Sequence, residues 1–205
     1  WGSSSMMPDA ANAKFGPEKT WNTPVNFEVG GSPIELYFSP SDGTTNAIRE
    51  NVEVANADVE FALLTLTRDD LGEAIVSIGQ SFFVSPIGAI EQVNTTGSEF
   101  DYLVSNGIQV YHHSLSGDLH HKYCIIDHSD VESDPLVITG SHNWSSTAEN
   151  VNDENTVIVH DARVANLYHQ EFRAIINAIT GTPDGLDATE TKSWTLMPNP
   201  AREQV

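Results

Sequence analysis

Basic residues are scarce in this chain: nine Lys and Arg stand against 29 Asp and Glu, a formal net charge of −20 over 205 residues. So acidic a surface excludes a broad basic face and opposes loose association with nucleic acid or anionic lipid at low salt. A polyanionic partner has to be gripped locally, by a few cations inside a cleft. The charge also suits a surface adapted to high salt or to an extracellular medium, where it is screened. Cysteine is reduced to Cys124, between Tyr123 and Ile125 in an apolar run; no intramolecular disulfide can form, and a buried inert thiol is expected. Long hydrophobic runs are missing too. No stretch approaches the roughly 20 apolar residues that span a bilayer, so stable membrane insertion is not expected. The opening "WGSSSMMPDA" lacks a charged n-region and an apolar h-region and reads as a cloning remnant or a trimmed mature end. With 14 Gly added to the 39% hydrophobic residues, the apolar share is that of an ordinary globular protein, and the length fits one domain with short tails.

Residues 1–30 carry Pro8, Pro17 and Pro24 and no sustained period, which predicts a tail with a short strand near "VNFEV". In "IELYFSP", Ile34, Leu36 and Phe38 alternate with Glu35 and Tyr37, a strand closed by Pro40. "TTNAIRENVEVA" has helical spacing behind a capping cluster; "VEFALLTLT" is strand-like; "DDLGEAIVSIGQSF" is amphipathic. "SEFDYLVSNG" predicts a short helix and "IQVYHH" a strand. "HKYCIID" and "LVITGS" read as neighbouring core strands joined by the acidic loop "HSDVESDP", followed by helical "NWSSTAEN", the strand "NTVIVHD" and the long helix "ARVANLYHQEFRAIINAI". The alternation predicts an α/β fold: a mixed, largely parallel central sheet flanked by helices on both faces. The folded domain is expected over 31–180, with 181–205 as a turn-rich C-terminal linker.

Through the middle of the chain Lys122 is the only lysine. In "HHKYCIID", His120 and Lys122 are two residues apart, so on a β-strand they share a face while His121 points the other way. An imidazole beside an ammonium is a poor choice for a core and suits an anion site. Asp127 falls at the far end of that strand, on the side opposite Lys122, where it is suited to fixing a loop. In "GSHNWSS", Gly140 permits close backbone approach, Ser141 is placed to cap the following helix, and Asn143 offers an amide donor near that helix's positive end.

Together, H-x-K-x-x-x-x-D (His120, Lys122, Asp127), G-S-x-N (Gly140, Ser141, Asn143) and Glu154 in "NDENTVIV" resemble the phospholipase D superfamily, specifically its small members with one motif per chain. The likeness covers about residues 33–180. The resemblance implies that His120 attacks phosphorus to form a phosphohistidine, that Lys122, Asn143 and Ser141 bind the phosphate oxygens, and that Glu154 orients the histidine. Asp127 completes the catalytic motif. No metal or other cofactor is implied, because fixed cationic donors stabilise the charge that develops. The mechanism needs two histidines and the chain has a single H-x-K, so a homodimer with its active site on the two-fold axis is implied. The gap from Asp127 to Gly140 is longer than in the smallest relatives and is expected to form an acidic hairpin loop.

A metal role for some of His112, His113, His120, His121, His128 and His142 with Asp118 is the competing use of this histidine-rich region. Adjacent histidines on a strand diverge, and no closed structural zinc spacing is present. Trp144 is expected to pack under the helix start, and Arg163 and Arg173 to be surface charges. "FFVSPIGAI" is the one candidate for an exposed apolar loop. The resemblance implies a metal-independent phosphodiesterase acting on nucleic acid, since single-motif dimers of the family are often nucleases. A phospholipase D acting on phospholipid head groups is the alternative within the same chemistry, and a non-catalytic phosphate-binding module the alternative of another class. "WTLMPNPAREQV" resembles the opening of the C-terminal sorting domain that some Gram-negative bacteria use for type IX secretion, which implies a secreted or cell-surface bacterial protein.

Overall fold

A computed structural model describes residues 11–182; the "WTLMPNPAREQV" segment and most of the expected C-terminal linker lie outside them. Thirteen elements follow a short 3₁₀ turn at Gly16–Glu18: β1 (Asn26–Val29), β2 (Ser32–Ser39), α1 (Thr44–Glu53), β3 (Val59–Leu63), α2 (Asp69–Gly79), β4 (Ile87–Ile90), α3 (Phe100–Ser105), β5 (Gln109–His112), β6 (Lys122–Ile126), β7 (Leu136–Gly140), α4 (Ser146–Asn150), β8 (Glu154–His160) and α5 (Ala162–Thr180). The strands form one eight-stranded sheet in the order β1-β2-β8-β7-β6-β3-β4-β5.

The α/β class and the mixed sheet are as expected, but the sheet is not largely parallel. Only β3–β4 and β4–β5 pair parallel; β1–β2, β2–β8, β8–β7, β7–β6 and β6–β3 are antiparallel. Parallel neighbours need a crossover of a dozen or more residues. Only α2 and α3 supply crossovers between neighbouring strands, whereas β6 and β7 are joined by a short loop. β2 and β3, consecutive in the chain, are separated by β8, β7 and β6.

Strand alternation divides the core between two layers, with helices on both faces. On one face Phe61, Leu63, Cys124, Ile126 and Ile138 meet α1 and α2 through Ile48, Val52, Leu71 and Ile75. On the other, Ala62, Tyr123, Ile125 and Val137 meet Ala165, Phe172 and Ile176 of α5. Cys124 is fully buried, and burial drives its thiol pKa well up, as an inert thiol requires. Asp161 caps α5 by accepting from the Arg163 and Val164 amides at 2.8 and 3.1 Å.

"IGAI" is the strand β4, an element the sequence pattern does not announce. Gly88 lowers its strand propensity, yet a Cβ there would stand 2.0 Å from the Phe61 ring. That ring stacks on Trp144 (6.5 Å between centroids, 26°), which is buried as expected. Upstream of β4, Phe82 and Phe83 are 96% and 80% exposed, so an apolar loop does exist. It lies at the end of the sheet where β3 begins and β6 ends. The described part of the expected tail, residues 11–30, is fastened to the body: β1 pairs with β2, the Gly16 amide donates to Asp153 at 2.9 Å, and Lys19 pairs with Asp153 at 3.0 Å.

Candidate active site

The sequence motif gathers at the end of the sheet where β6 begins and β7 ends. β6 starts at Lys122, so His120 precedes the strand; the two side chains nevertheless meet, with Lys122 Nζ 3.3 Å from His120 Nδ1 and donating to the His120 carbonyl at 3.0 Å. His121 turns to the other side, toward α5, and lies 3.1 Å from Glu171. His120 is exposed and Lys122 half-buried. Burial lowers the Lys122 pKa, and the Glu154 carboxylate partly opposes that shift. Glu154 therefore acts on Lys122 through charge, while His120 touches Lys122 directly.

β7 and β8 build the adjoining wall. Gly140 pairs with Thr156, and the Ser141 amide donates to the Asn155 carbonyl at 3.0 Å. At Gly140 φ is +147°, and a Cβ would lie 2.2 Å from the Asn155 carbonyl oxygen. The close approach expected at this glycine is therefore an approach to β8 backbone, and it sets where Glu154 stands. Ser141 Oγ accepts from the Asn155 amide at 3.1 Å. It does not cap the next helix: α4 starts at Ser146, and Ser145 Oγ accepts from Ala148 at 3.2 Å as its N-cap. Asn143 lies just before that cap, and its Oδ1 is buried without a partner among the described residues. The chain beyond β3 laces both halves of the motif together. Leu64 donates to the His121 carbonyl at 2.8 Å, Thr67 donates to the Trp144 carbonyl at 2.9 Å, and Leu66 bridges Trp144.

Glu154 Oε1 accepts from Asn152 Nδ2 at 3.0 Å, so within one chain it meets Asn152 and not the His120 ring. Asp127 is not part of the cluster. It is buried at the other end of β6, with φ +55°, and accepts from the Asn56, Ala57 and Asp58 amides at 2.8–3.3 Å and from Ser133 Oγ at 2.6 Å. A carboxylate so occupied fixes the α1–β3 connection to the β6–β7 loop, as its place at the far end of the strand predicts; among the motif residues Asp127 supports the fold and does not reach the cluster. Leu167, Tyr168 and Glu171 of α5, with His121 and Tyr123, line a cleft of about 420 Å³ that His120 and Lys122 also border.

Two supports escaped the sequence pattern. Glu91, just past β4, lies 2.6 Å from His113 Nδ1 and accepts from the Leu119 amide at 2.9 Å, tying down the segment that delivers His120. Burial raises the Glu91 pKa, but these donors and nearby histidines outweigh it and leave the carboxyl below its usual value. His142 is buried in the G-S-x-N segment with Nε2 3.3 Å from Glu149, which also accepts from Thr45. Neither carboxylate has a motif of its own; only the fold brings it to its histidine. Of the histidines considered for metal binding, only His128 falls in a metal-sized group, with Glu60 and His169.

The family model described as cardiolipin synthase, PLD-like domain, matches residues 37–176. The mitochondrial cardiolipin hydrolase of Mus musculus is 30% identical over 146 residues, covering 71% of this chain and 62% of that protein; the one from Canis lupus familiaris is 33% identical, covering 59% and 46%. The chain therefore spans about half to three fifths of the length of these curated relatives. Among solved structures, Nuc from Salmonella typhimurium, a phospholipase D family member, superposes with TM-score 0.60 at 23% identity (70% of this chain, 93% of that one). NucT from Helicobacter pylori gives TM-score 0.60 at 20% identity, covering 70% and 95%. These two likenesses speak to the fold. With its H-x-K pair, its G-S-x-N turn and Glu154 assembled at one end of a matching fold, the chain belongs to the phospholipase D superfamily, in the family of cardiolipin synthase, PLD-like domains.

Proposed function

We propose that this chain is a metal-independent phosphodiesterase working through a phosphohistidine, and that its substrate is a nucleic acid strand. The carrying observation is the desolvated Lys122 ammonium 3.3 Å from His120 Nδ1 on the floor of an open cleft. A phosphate drawing Lys122 toward its oxygens frees Nδ1 for Glu154, which leaves the Nε2 lone pair to attack phosphorus. The P–O bond to the leaving group breaks as the N–P bond forms, and a second imidazole gives the departing oxygen its proton. Water then attacks phosphorus, that imidazole takes the proton, and the N–P bond breaks. Lys122, Asn143 and the Ser141 region stabilise the five-coordinate charge.

The second imidazole comes from another copy of the chain. His120 is exposed at the end of the sheet, and the chain has no other H-x-K, so a two-fold axis beside His120 completes the site. The strand substrate is supported by the place of Phe82 and Phe83, the most exposed apolar pair among the described residues, at the other end of the sheet, which leaves Leu167 as the exposed aliphatic side chain at the cleft. Hydrolysis of a phospholipid head group is the second reading, favoured by the similarity to mitochondrial cardiolipin hydrolases. A non-catalytic phosphate-binding module requires loss of a motif position, and all are present. Residues outside the described range carry the proposal that the protein is secreted or displayed at a bacterial surface.

The test is hydrolysis of single-stranded DNA, duplex DNA, RNA and cardiolipin vesicles in chelator by the wild type, His120→Ala and Lys122→Ala. Loss of roughly 10³-fold or more is expected for His120→Ala and about 10²–10³-fold for Lys122→Ala. Wild-type activity in His120→Ala removes the mechanism, and cleavage of cardiolipin alone replaces the substrate. Sedimentation of a fully active monomer at micromolar concentration removes the shared site.

A further inference from the structure

At the end of β6 remote from Lys122, three side chains that no sequence pattern connects come together. Glu60 comes from β3, His128 from just past β6, and His169 from the middle of α5. His169 Nδ1 lies 2.8 Å from Glu60 Oε2, and His128 Nε2 lies 3.5 Å from Glu60 Oε1. One donor atom from each residue falls within 4.8 Å of the others. The two imidazoles stack face to face, 3.7 Å between centroids and 21° apart, so both present nitrogen to the same buried carboxylate. Asp58 Oδ1 is a further oxygen 3.5 Å from His128 Nε2.

We propose that Glu60, His128 and His169 form a structural site for a zinc-class transition-metal ion, with Asp58 or water as the fourth ligand. Zinc bonds of about 2.0–2.2 Å to nitrogen and oxygen in a tetrahedral arrangement hold neighbouring donor atoms about 3.3–3.6 Å apart; the His128–Glu60 contact of 3.5 Å lies in that range, and the His169–Glu60 contact of 2.8 Å needs to open by about 0.5 Å. Two imidazole nitrogens with one carboxylate select a borderline metal, whereas calcium and magnesium require all-oxygen sets. The surroundings have the form of an outer shell: Asp58 accepts from the His128 and Ser129 amides, each at 3.1 Å, which fixes the loop that carries His128. A cleft between His128, Val131 and the first turns of α5 gives an ion access.

The ion would bind α5 to β3 and to the end of β6. Leu167, Tyr168 and Glu171, which flank His169 on α5, form a wall of the His120 cleft. The site therefore anchors the helix beside that wall, and it takes no part in the phosphoryl chemistry.

The test uses the untagged chain, stripped with chelator and titrated with Zn²⁺ by calorimetry and with Co²⁺ by visible absorption. One equivalent is expected to bind with micromolar or tighter affinity, with the absorption of four-coordinate cobalt and a higher Tm. Glu60→Gln, His128→Gln and His169→Gln should each weaken uptake at least tenfold, while His120→Ala and His113→Gln leave it unchanged. Histidine acylation mapped by mass spectrometry on the wild type needs no variant: Zn²⁺ should protect His128 and His169 and leave His120 reactive. Absence of saturable uptake, uptake indifferent to the His128 and His169 substitutions, or protection of His120 instead overturns the proposal. None of these readouts depends on activity, so failure of the phosphodiesterase reading would be seen separately.

Discussion

Gly140→Ala tests whether close backbone approach between β7 and β8 is what sets the site. The added methyl would sit 2.2 Å from the Asn155 carbonyl oxygen, 3.0 Å from its carbon and 3.0 Å from the Thr156 Cα. All three are backbone atoms of a strand paired on both edges, with β2 and with β7, so no side chain can swing aside. A φ of +147° is in addition a conformation that L-residues avoid, costing about 1–3 kcal/mol. Forcing atoms into packed backbone costs about 1–3 kcal/mol more. The sum, about 4 kcal/mol, lowers the Tm of a domain this size by about 8–16 °C, measured by circular dichroism or calorimetry. Gly107→Ala is the control. Gly107 has φ +81° and nothing within 4 Å of its would-be Cβ, so only the conformational cost of about 1–2 kcal/mol remains. Because β8 has to move to admit the methyl, phosphodiesterase activity should fall further than stability alone accounts for at 25 °C. If Gly140→Ala melts within 2 °C of the wild type, or no lower than Gly107→Ala, the contact does not hold β8 and the placement of Glu154 needs another cause.

Lys122 gives a pH dependence with a defined sign. Burial lowers its pKa and Glu154 partly restores it, so the phosphate-binding cation is lost as pH rises through a value below the ordinary 10.5. KM should rise on the alkaline side, Glu154→Gln should move that limb to lower pH, and Lys122→Arg should abolish it; an alkaline limb unmoved by either substitution refutes the assignment. Asp127→Ala should unfold at lower urea with activity per folded molecule nearly intact, losing about 1–3 kcal/mol as the part-buried amides of Asn56, Ala57 and Asp58 are left without an acceptor. Asp127→Asn, which keeps one accepting oxygen and tolerates the positive φ, should lose less, and equal losses would argue against the hydrogen bonds as the cause.

What the sequence could reveal was whatever a local rule governs. Alternation gave β2, short apolar runs gave β3, β6, β7 and β8, a long helical stretch gave α5, and fixed spacing within "HHKYCIID" and "GSHNWSS" marked His120, Lys122, Gly140 and Asn143. Strand β4 was hidden because Gly88 weakens its pattern, and the reason for that glycine is Phe61, 27 positions earlier. Sheet order was hidden too: inner strands such as β3 and β6 are buried on both faces whether a neighbour runs parallel or antiparallel, so the apolar pattern carries no direction, and loop geometry placed β8, β7 and β6 between β2 and β3. Glu91 beneath the His120 segment, Glu149 against His142, and Glu60 with His128 and His169 belong to the tertiary structure alone. Each pairs groups from separate elements, and only chain closure brings such side chains within hydrogen-bond or ligand distance.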